Sequence, residues 1–150
     1  MRIRPYRDAD WPEWLRMSRG LFPDESEESL TSAMRVTRAT RDAEVFVIER
    51  ENAGGALAGF VEVGNRLYAE GCDTSPVGYI DAWFVDADVR RTGLGRALLA
   101  AAEDWARGKG YTEMASDALL DNVVSHRAHA AAGYAEVERI VTFRKPLSPS

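Results

Sequence analysis

The apolar run Tyr79-Ile80-Asp81-Ala82-Trp83-Phe84-Val85 leads into Arg90-Arg91-Thr92-Gly93-Leu94-Gly95-Arg96, and Leu94, Ala97, Leu98, Ala101 and Trp105 then recur at helical spacing. That is a strand, a glycine-containing loop and an amphipathic helix in succession. A helix entered this way aims unpaired backbone N–H groups and the positive end of its dipole at one point, which suits a phosphate. Gly93 and Gly95 let the backbone approach a pyrophosphate without a Cβ in the way, while Arg90, Arg91 and Arg96 set positive charge at the rim. Neither the Gly-Lys-Ser/Thr ending of a nucleotide-triphosphate loop nor the Gly-x-Gly-x-x-Gly of a dinucleotide fold is present. The plain alternative is a strand-to-helix turn with solvated arginines.

Around this unit the hydrophobic period changes in a definite order. Ile3 to Tyr6 reads as a first strand, and Asp10-Trp11-Pro12-Glu13 as a helix start with capping-box spacing and an early proline. Trp11, Trp14, Leu15 and Leu21 form that helix's apolar side, and a second helix is predicted from Glu27 to Arg38 with Leu30, Ala33, Met34 and Thr37 turned inward. Val45 to Ile48 and Leu57 to Val63 read as strands of a hairpin across Asn52-Ala53-Gly54-Gly55. After the central strand, Val77 to Val85, and its helix come a short strand from Glu113 to Asp117 and a helix beyond Asn122. A last strand, Val137 to Phe143, and a frayed tail, Pro146 to Ser150, complete the chain. The predicted fold is α/β, a mixed and mostly antiparallel sheet with helices on both faces, in one domain spanning 1–150.

A net charge of -5 argues against nucleic acid as the partner, and no run of apolar residues is long enough for a membrane span. The N-terminus lacks a signal peptide's apolar core and Cys72 is the only cysteine, so a cytoplasmic protein without disulfides is expected. His126 and His129 share a helix without a matching carboxylate pattern, so no metal site is expected. Asp81 stands out because it interrupts an apolar strand; such a carboxylate is either turned into a ligand cleft or paired with an arginine.

The Arg-x-x-Gly-x-Gly loop, its strand–loop–helix setting and the later Asn122-x-x-Ser125-x-x-x-His129-x-x-x-Gly133-Tyr134 resemble the two signatures of the GCN5-related N-acetyltransferase superfamily. The resemblance implies an acetyl-CoA cosubstrate lying where the strands of Val77–Val85 and Glu113–Asp117 splay apart. Its contacts would be Trp83, Phe84, Val85, Arg90, Arg91, Thr92, Gly93, Leu94, Gly95, Arg96 and Asn122. It also implies a bulge at Phe84–Val85 whose backbone N–H polarises the thioester oxygen. Where the superfamily often places a tyrosine as proton donor to the leaving thiolate, this chain has His129. On the residues alone, Asn122 is a helix cap and Gly133-Tyr134 a helix stop.

Leu21-Phe22-Pro23, Tyr68-x-x-Gly71-Cys72-Asp73-x-Ser75-Pro76, Met114-Ala115-Ser116-Asp117 and Glu136-x-Glu138-Arg139 resemble the aminoglycoside 6'-N-acetyltransferases over nearly the whole chain. The resemblance implies an acceptor site of Phe22, Tyr68, Asp81, Asp117 and Glu138, with Asp81 and Asp117 handling the amine's proton. That group usually has Trp and Glu where this chain has Phe22 and Asp81. Carboxylates suit a polycationic amine. A homodimer is implied by the relatives. An acetyltransferase for another amine, and a non-catalytic acyl-CoA-binding module, are the competing readings.

Overall fold

The computed structural model describes residues 1–148. Pro149 and Ser150, part of the expected frayed tail, lie outside the described residues. The elements are β1 (Arg2–Pro5), α1 (Trp11–Leu21), α2 (Glu27–Ala39), β2 (Glu44–Glu49), β3 (Leu57–Arg66), β4 (Val77–Val85), α3 (Leu94–Gly108), β5 (Met114–Ser116) and α4 (Val123–Ala131). Met1–Asp117 forms one compact unit, and the chain from Ala118 a second.

In the first unit the strands stand in the order β1-β2-β3-β4-β5. Their pairings are antiparallel except β4 with β5, which is parallel because α3 crosses over between them. Alternation divides the side chains between two faces. Val45, Val47, Leu57 and Phe60 pack with Trp14 and Met17 of α1 and Met34 of α2. Leu98, Leu99, Ala102 and Ala106 are the buried positions of α3, which packs against β2, β3 and β4. Trp14, Met17 and Phe60 are fully buried, and each such side chain contributes about 2 kcal/mol through removal of apolar surface from water.

Ion pairs fix the ends of this framework. Arg4 forms a two-pronged pair with Asp10, at 2.7 and 2.9 Å, and both side chains are nearly buried. Burial alone would raise the Asp10 pKa; Arg4 and the Arg7 N–H outweigh it and hold the group below its ordinary value. Asp10 therefore serves the turn before α1 rather than the expected capping box, and Glu13 accepts from the Leu57 N–H at 2.9 Å instead. Asp86, just past β4, is held by Arg16 of α1 at 2.9 Å and Arg50 at 3.2 Å. The exit of the central strand is thus anchored to both flanking elements.

Two expectations change. On α2 only Leu30 and Met34 are buried; all four positions line one cavity, at which Ala33 is exposed and Thr37 half-buried. The segment from Val137 to Phe143 forms no strand: Val141 is 78% and Phe143 92% exposed. Strand composition does not supply a ladder, which needs the free edge of another strand.

Candidate active site

The site is organised by β4. Its pairing with β3 runs in register from Gly59 opposite Val85 to Glu62 opposite Ala82, then shifts so that Val63 faces Ile80. Asp81 is the extra residue, and a bulge of this kind re-aims a side chain. The expected bulge at Phe84–Val85 is absent: Phe84 faces Phe60 and Val85 faces Gly59 without interruption. Gly64 of β3 lies beside Asp81, where a Cβ would stand 3.5 Å from Asp81 Oδ2, an ordinary contact.

On its other edge β4 pairs with β5 only through Gly78, Tyr79 and Ile80. From Asp81 to Val85 that edge has no β5 partner, in keeping with the splay that the acetyltransferase resemblance implies. The half-buried Trp83, Phe84 and Val85 form its far part.

Beyond Val85 the chain turns into the loop that starts α3. Arg90 Nε donates to the Val85 carbonyl at 3.0 Å, and Thr92 Oγ1 to the Val89 carbonyl at 2.5 Å. Gly93 is the N-cap of α3 with φ 87°, so Leu94, Gly95 and Arg96 supply the first helical N–H groups. The two loop glycines do different work. Gly93 is required by its left-handed backbone, and the space about its Cβ position is open. Gly95 is required by packing: a Cβ there would lie 3.3 Å from Val85 Cγ2 and 3.4 Å from Trp83 Cζ2, while Trp83 Nε1 donates to the Gly95 carbonyl at 3.0 Å. Leu94 opens the helix beside these contacts.

On the other side of the bulge, Asp81 Oδ1 pairs with Arg66 Nη2 at 3.1 Å, both side chains about half exposed. Partial desolvation raises the Asp81 pKa and Arg66 opposes that rise. The Arg66 guanidinium also lies 3.5 Å from the centroid of the buried Tyr79 ring, and the Tyr79 hydroxyl donates to Asp117 Oδ2 at 2.5 Å. Burial and the adjacent Asp117 push the Tyr79 pKa up, so its proton stays on the phenol. Asp81 and Asp117 are therefore tied through Arg66 and Tyr79, and both readings of Asp81, cleft-facing and arginine-paired, describe it.

Asp81 and Phe22 line one cavity of about 510 Å³ together with Thr37, Asp42, Glu62 and Asn65. Tyr68 stands apart on the loop after β3, 70% exposed. The Gly71-Cys72-Asp73 turn is fastened by Glu113, which accepts from the Asp73 N–H at 2.9 Å and the Thr74 N–H at 2.7 Å. Sequence reasoning missed Tyr79, Arg66 and Glu62. Glu62 carried the signal that drew attention to Asp81, an acid inside an apolar strand.

In the second unit Asn122 caps α4, its Oδ1 accepting from the Ser125 N–H at 3.1 Å. His129 Nδ1 lies 2.7 Å from the Ser125 carbonyl, which fixes the proton on Nδ1. A His129→Phe variant should lose turnover by a few-fold near neutrality, and the loss should shrink as pH rises and the thiolate departs unaided, in a kcat–pH profile. A pH-independent loss would assign His129 to packing against Tyr134, whose ring centroid is 5.8 Å away. Glu138 lies in the irregular segment of this unit.

A mixed sheet opened beside its central strand, with the glycine-capped start of α3 at that strand's end, frames the candidate site. The chain belongs to the acetyltransferase (GNAT) family, whose profile matches residues 7–134. It is 41% identical over 149 residues to an aminoglycoside N(6')-acetyltransferase type 1 of Stenotrophomonas maltophilia, covering 99% of this chain and 95% of that protein. With one of the same description from Klebsiella aerogenes it shares 40% over 148 residues, 97% and 96% of the two chains. Among solved structures, an aminoglycoside antibiotic 6'-N-acetyltransferase from Acinetobacter haemolyticus superposes with a TM-score of 0.91 at 34% identity, covering 99% of this chain and all of that one. AAC(6')-Iy in complex with the bisubstrate analogue CoA-S-monomethyl-acetylneamine superposes with a TM-score of 0.88 at 29% identity, 97% of each chain covered.

Proposed function

We propose that the protein transfers the acetyl group of acetyl-CoA to the 6'-amino group of aminoglycosides by direct attack in a ternary complex. The observation that carries this is the layout of β4, with a carboxylate in the acceptor cavity at its bulge and an anion-receiving loop at its end. Between Asp81 and Val85 the strand rises about 13 Å along an unpaired edge, a length beside which an extended pantetheine arm fits.

Acetyl-CoA, when bound, supplies an activated thioester. The N–H groups of Leu94, Gly95 and Arg96 receive its pyrophosphate, Arg90 and Arg91 add charge, and Thr92 shapes the loop. Trp83, Phe84 and Val85, with Asn122, hold the arm. A backbone N–H on the free edge at Phe84–Val85 polarises the thioester oxygen. Asp81 and Asp117 gather the ammonium groups of the acceptor and orient its amine, Phe22 and Tyr68 offer aromatic walls, Glu138 adds a further carboxylate, and imidazolium His129 donates to the departing thiolate. The amide product carries two protons fewer on nitrogen than the bound ammonium; one is taken by the thiolate and one leaves the site.

The chain acts as one domain spanning 1–150, in the cytoplasm where acetyl-CoA is made, and confers aminoglycoside resistance there. It works as a homodimer in which a second copy covers the exposed Ile140, Val141 and Phe143. Asp117→Asn should raise the apparent KM for aminoglycoside several-fold and leave acetyl-CoA affinity intact, and added salt should narrow the gap to wild type. Steady-state kinetics at two ionic strengths measure this, and wild-type constants would exclude Asp117 from the acceptor site. NMR of the product from neamine tests the reaction itself: the acetyl group is expected on N6' alone, and acetylation elsewhere would overturn the assignment.

A further inference from the structure

Besides Asp81, the cavity is lined by the carboxylates of Asp42 and Glu62, which the account above does not use. Glu62 lies on β3 opposite Ala82, and the bulge turns Asp81 to the same face. Asp81 has a cation, Arg66; no ion pair is formed by Glu62 among the described residues. We propose that Glu62 holds the proton that leaves the acceptor ammonium before transfer, receiving it through water at the Asp81 carboxylate. This rests on the acceptor reading of the cavity.

The surroundings of Glu62 serve it in both protonation states. Thr37 Oγ1 lies 3.1 Å from Glu62 Oε1 and 3.1 Å from the Ala33 carbonyl. When Glu62 is ionised, the Thr37 hydroxyl donates to it. When Glu62 is protonated, its own O–H donates to Thr37, which donates to Ala33 in turn. The buried indole N–H of Trp14 has no acceptor at full hydrogen-bond geometry, yet lies near enough to favour the Glu62 charge. Neither Thr37 nor Trp14 takes or gives a net proton, so the proton resides on Glu62.

Its proton affinity matches the task. Desolvation, with Asp81 adding to it and Thr37 and Trp14 opposing, pushes the Glu62 pKa up to about 7. The charged groups lining its cavity are Asp81, paired with Arg66, and Asp42, paired with Lys109 at 3.5 Å; α1 and α2 turn Trp14, Ser18, Met34 and Thr37 toward the cavity and core. An ordinary carboxylate is a weak base for an ammonium, whereas one poised near neutrality is a good one.

The proton steps balance. The ammonium gives one proton through water to ionised Glu62, leaving a neutral amine. The amine forms the C–N bond as the C–S bond breaks, His129 gives a proton to the thiolate and is restored by the second proton of the nitrogen, and Glu62 returns the first to solvent.

The test is the pH dependence of turnover on neamine for wild type, Glu62→Gln and Thr37→Val. Wild type should show an acidic limb near pH 7. Glu62→Gln should be about 100-fold slower at neutral pH, lack that limb, and recover toward about pH 9 as the amine loses its proton unaided. Its melting temperature at alkaline pH should equal or exceed that of wild type, since burying a charged carboxylate destabilises the fold above its pKa. Thr37→Val, which removes a donor to the ionised form, should move the limb to higher pH, and it decides the matter if Glu62→Gln fails to fold. An unchanged rate and profile in Glu62→Gln, or an unmoved limb in Thr37→Val, overturns the role of Glu62 alone. Absence of acetylation by wild type overturns the acceptor reading and this proposal with it.

Discussion

Asp81→Asn should cut turnover on aminoglycosides by about 100-fold or more while acetyl-CoA binds as before. The amide keeps the shape of the bulge but cannot relay a proton. It also leaves the Arg66 guanidinium, 3.1 Å away in the parent protein, as an uncompensated positive charge where a cationic acceptor must settle. KM should therefore rise as kcat falls, and salt should relieve the first effect only. Asp81→Glu keeps the charge and should retain most activity. The arginine provides an internal control: if the pair were merely structural, Arg66→Met and Asp81→Asn would fail alike. The acceptor account expects Arg66→Met to keep measurable turnover, because the carboxylate remains. Thiol-release kinetics on the variants and calorimetry with acetyl-CoA give these quantities; wild-type kinetics in Asp81→Asn would remove Asp81 from the chemistry.

Gly93→Val should raise the acetyl-CoA dissociation constant by about 10- to 100-fold. At φ 87° a β-branched residue is strained by about 1–3 kcal/mol, and the loop relieves that strain by shifting the start of α3 away from the pyrophosphate's path. The fold should persist, since nothing lies within 4 Å of the added Cβ. Gly95→Val differs in kind: its side chain would press on Trp83 and Val85, so stability and affinity should fall together. Calorimetry on folded protein separates the two, and an unchanged affinity in Gly93→Val would disprove the phosphate-receiving loop.

The order of elements was legible because each period is strong and local. The central strand, Val77–Val85, matches its predicted bounds, since a continuous apolar run closes at a charged loop. Asp81 was conspicuous for the same reason. Glu62 interrupts the apolar Phe60-Val61-Glu62-Val63 in the same way, but what makes it matter is not local, since its partners arrive from distant α1 and α2. Register is also non-local. The bulge at Asp81 appears only in the pairing of β4 with β3, which spacing within β4 does not encode. The two loop glycines read alike in sequence, yet one answers to backbone sign and the other to Trp83. The apolar pattern at 137–143 predicted a strand but not the edge a strand needs.

The central claim is that this scaffold delivers acetyl groups to a 6'-amine, and thiol release from acetyl-CoA tests it most directly. A matched pair of aminoglycosides, one with an amine and one with a hydroxyl at C6', isolates the acceptor atom. The account predicts steady CoA release with the 6'-amine compound and a rate at background with the 6'-hydroxyl one. Equal rates with both, or no release with either, would contradict it.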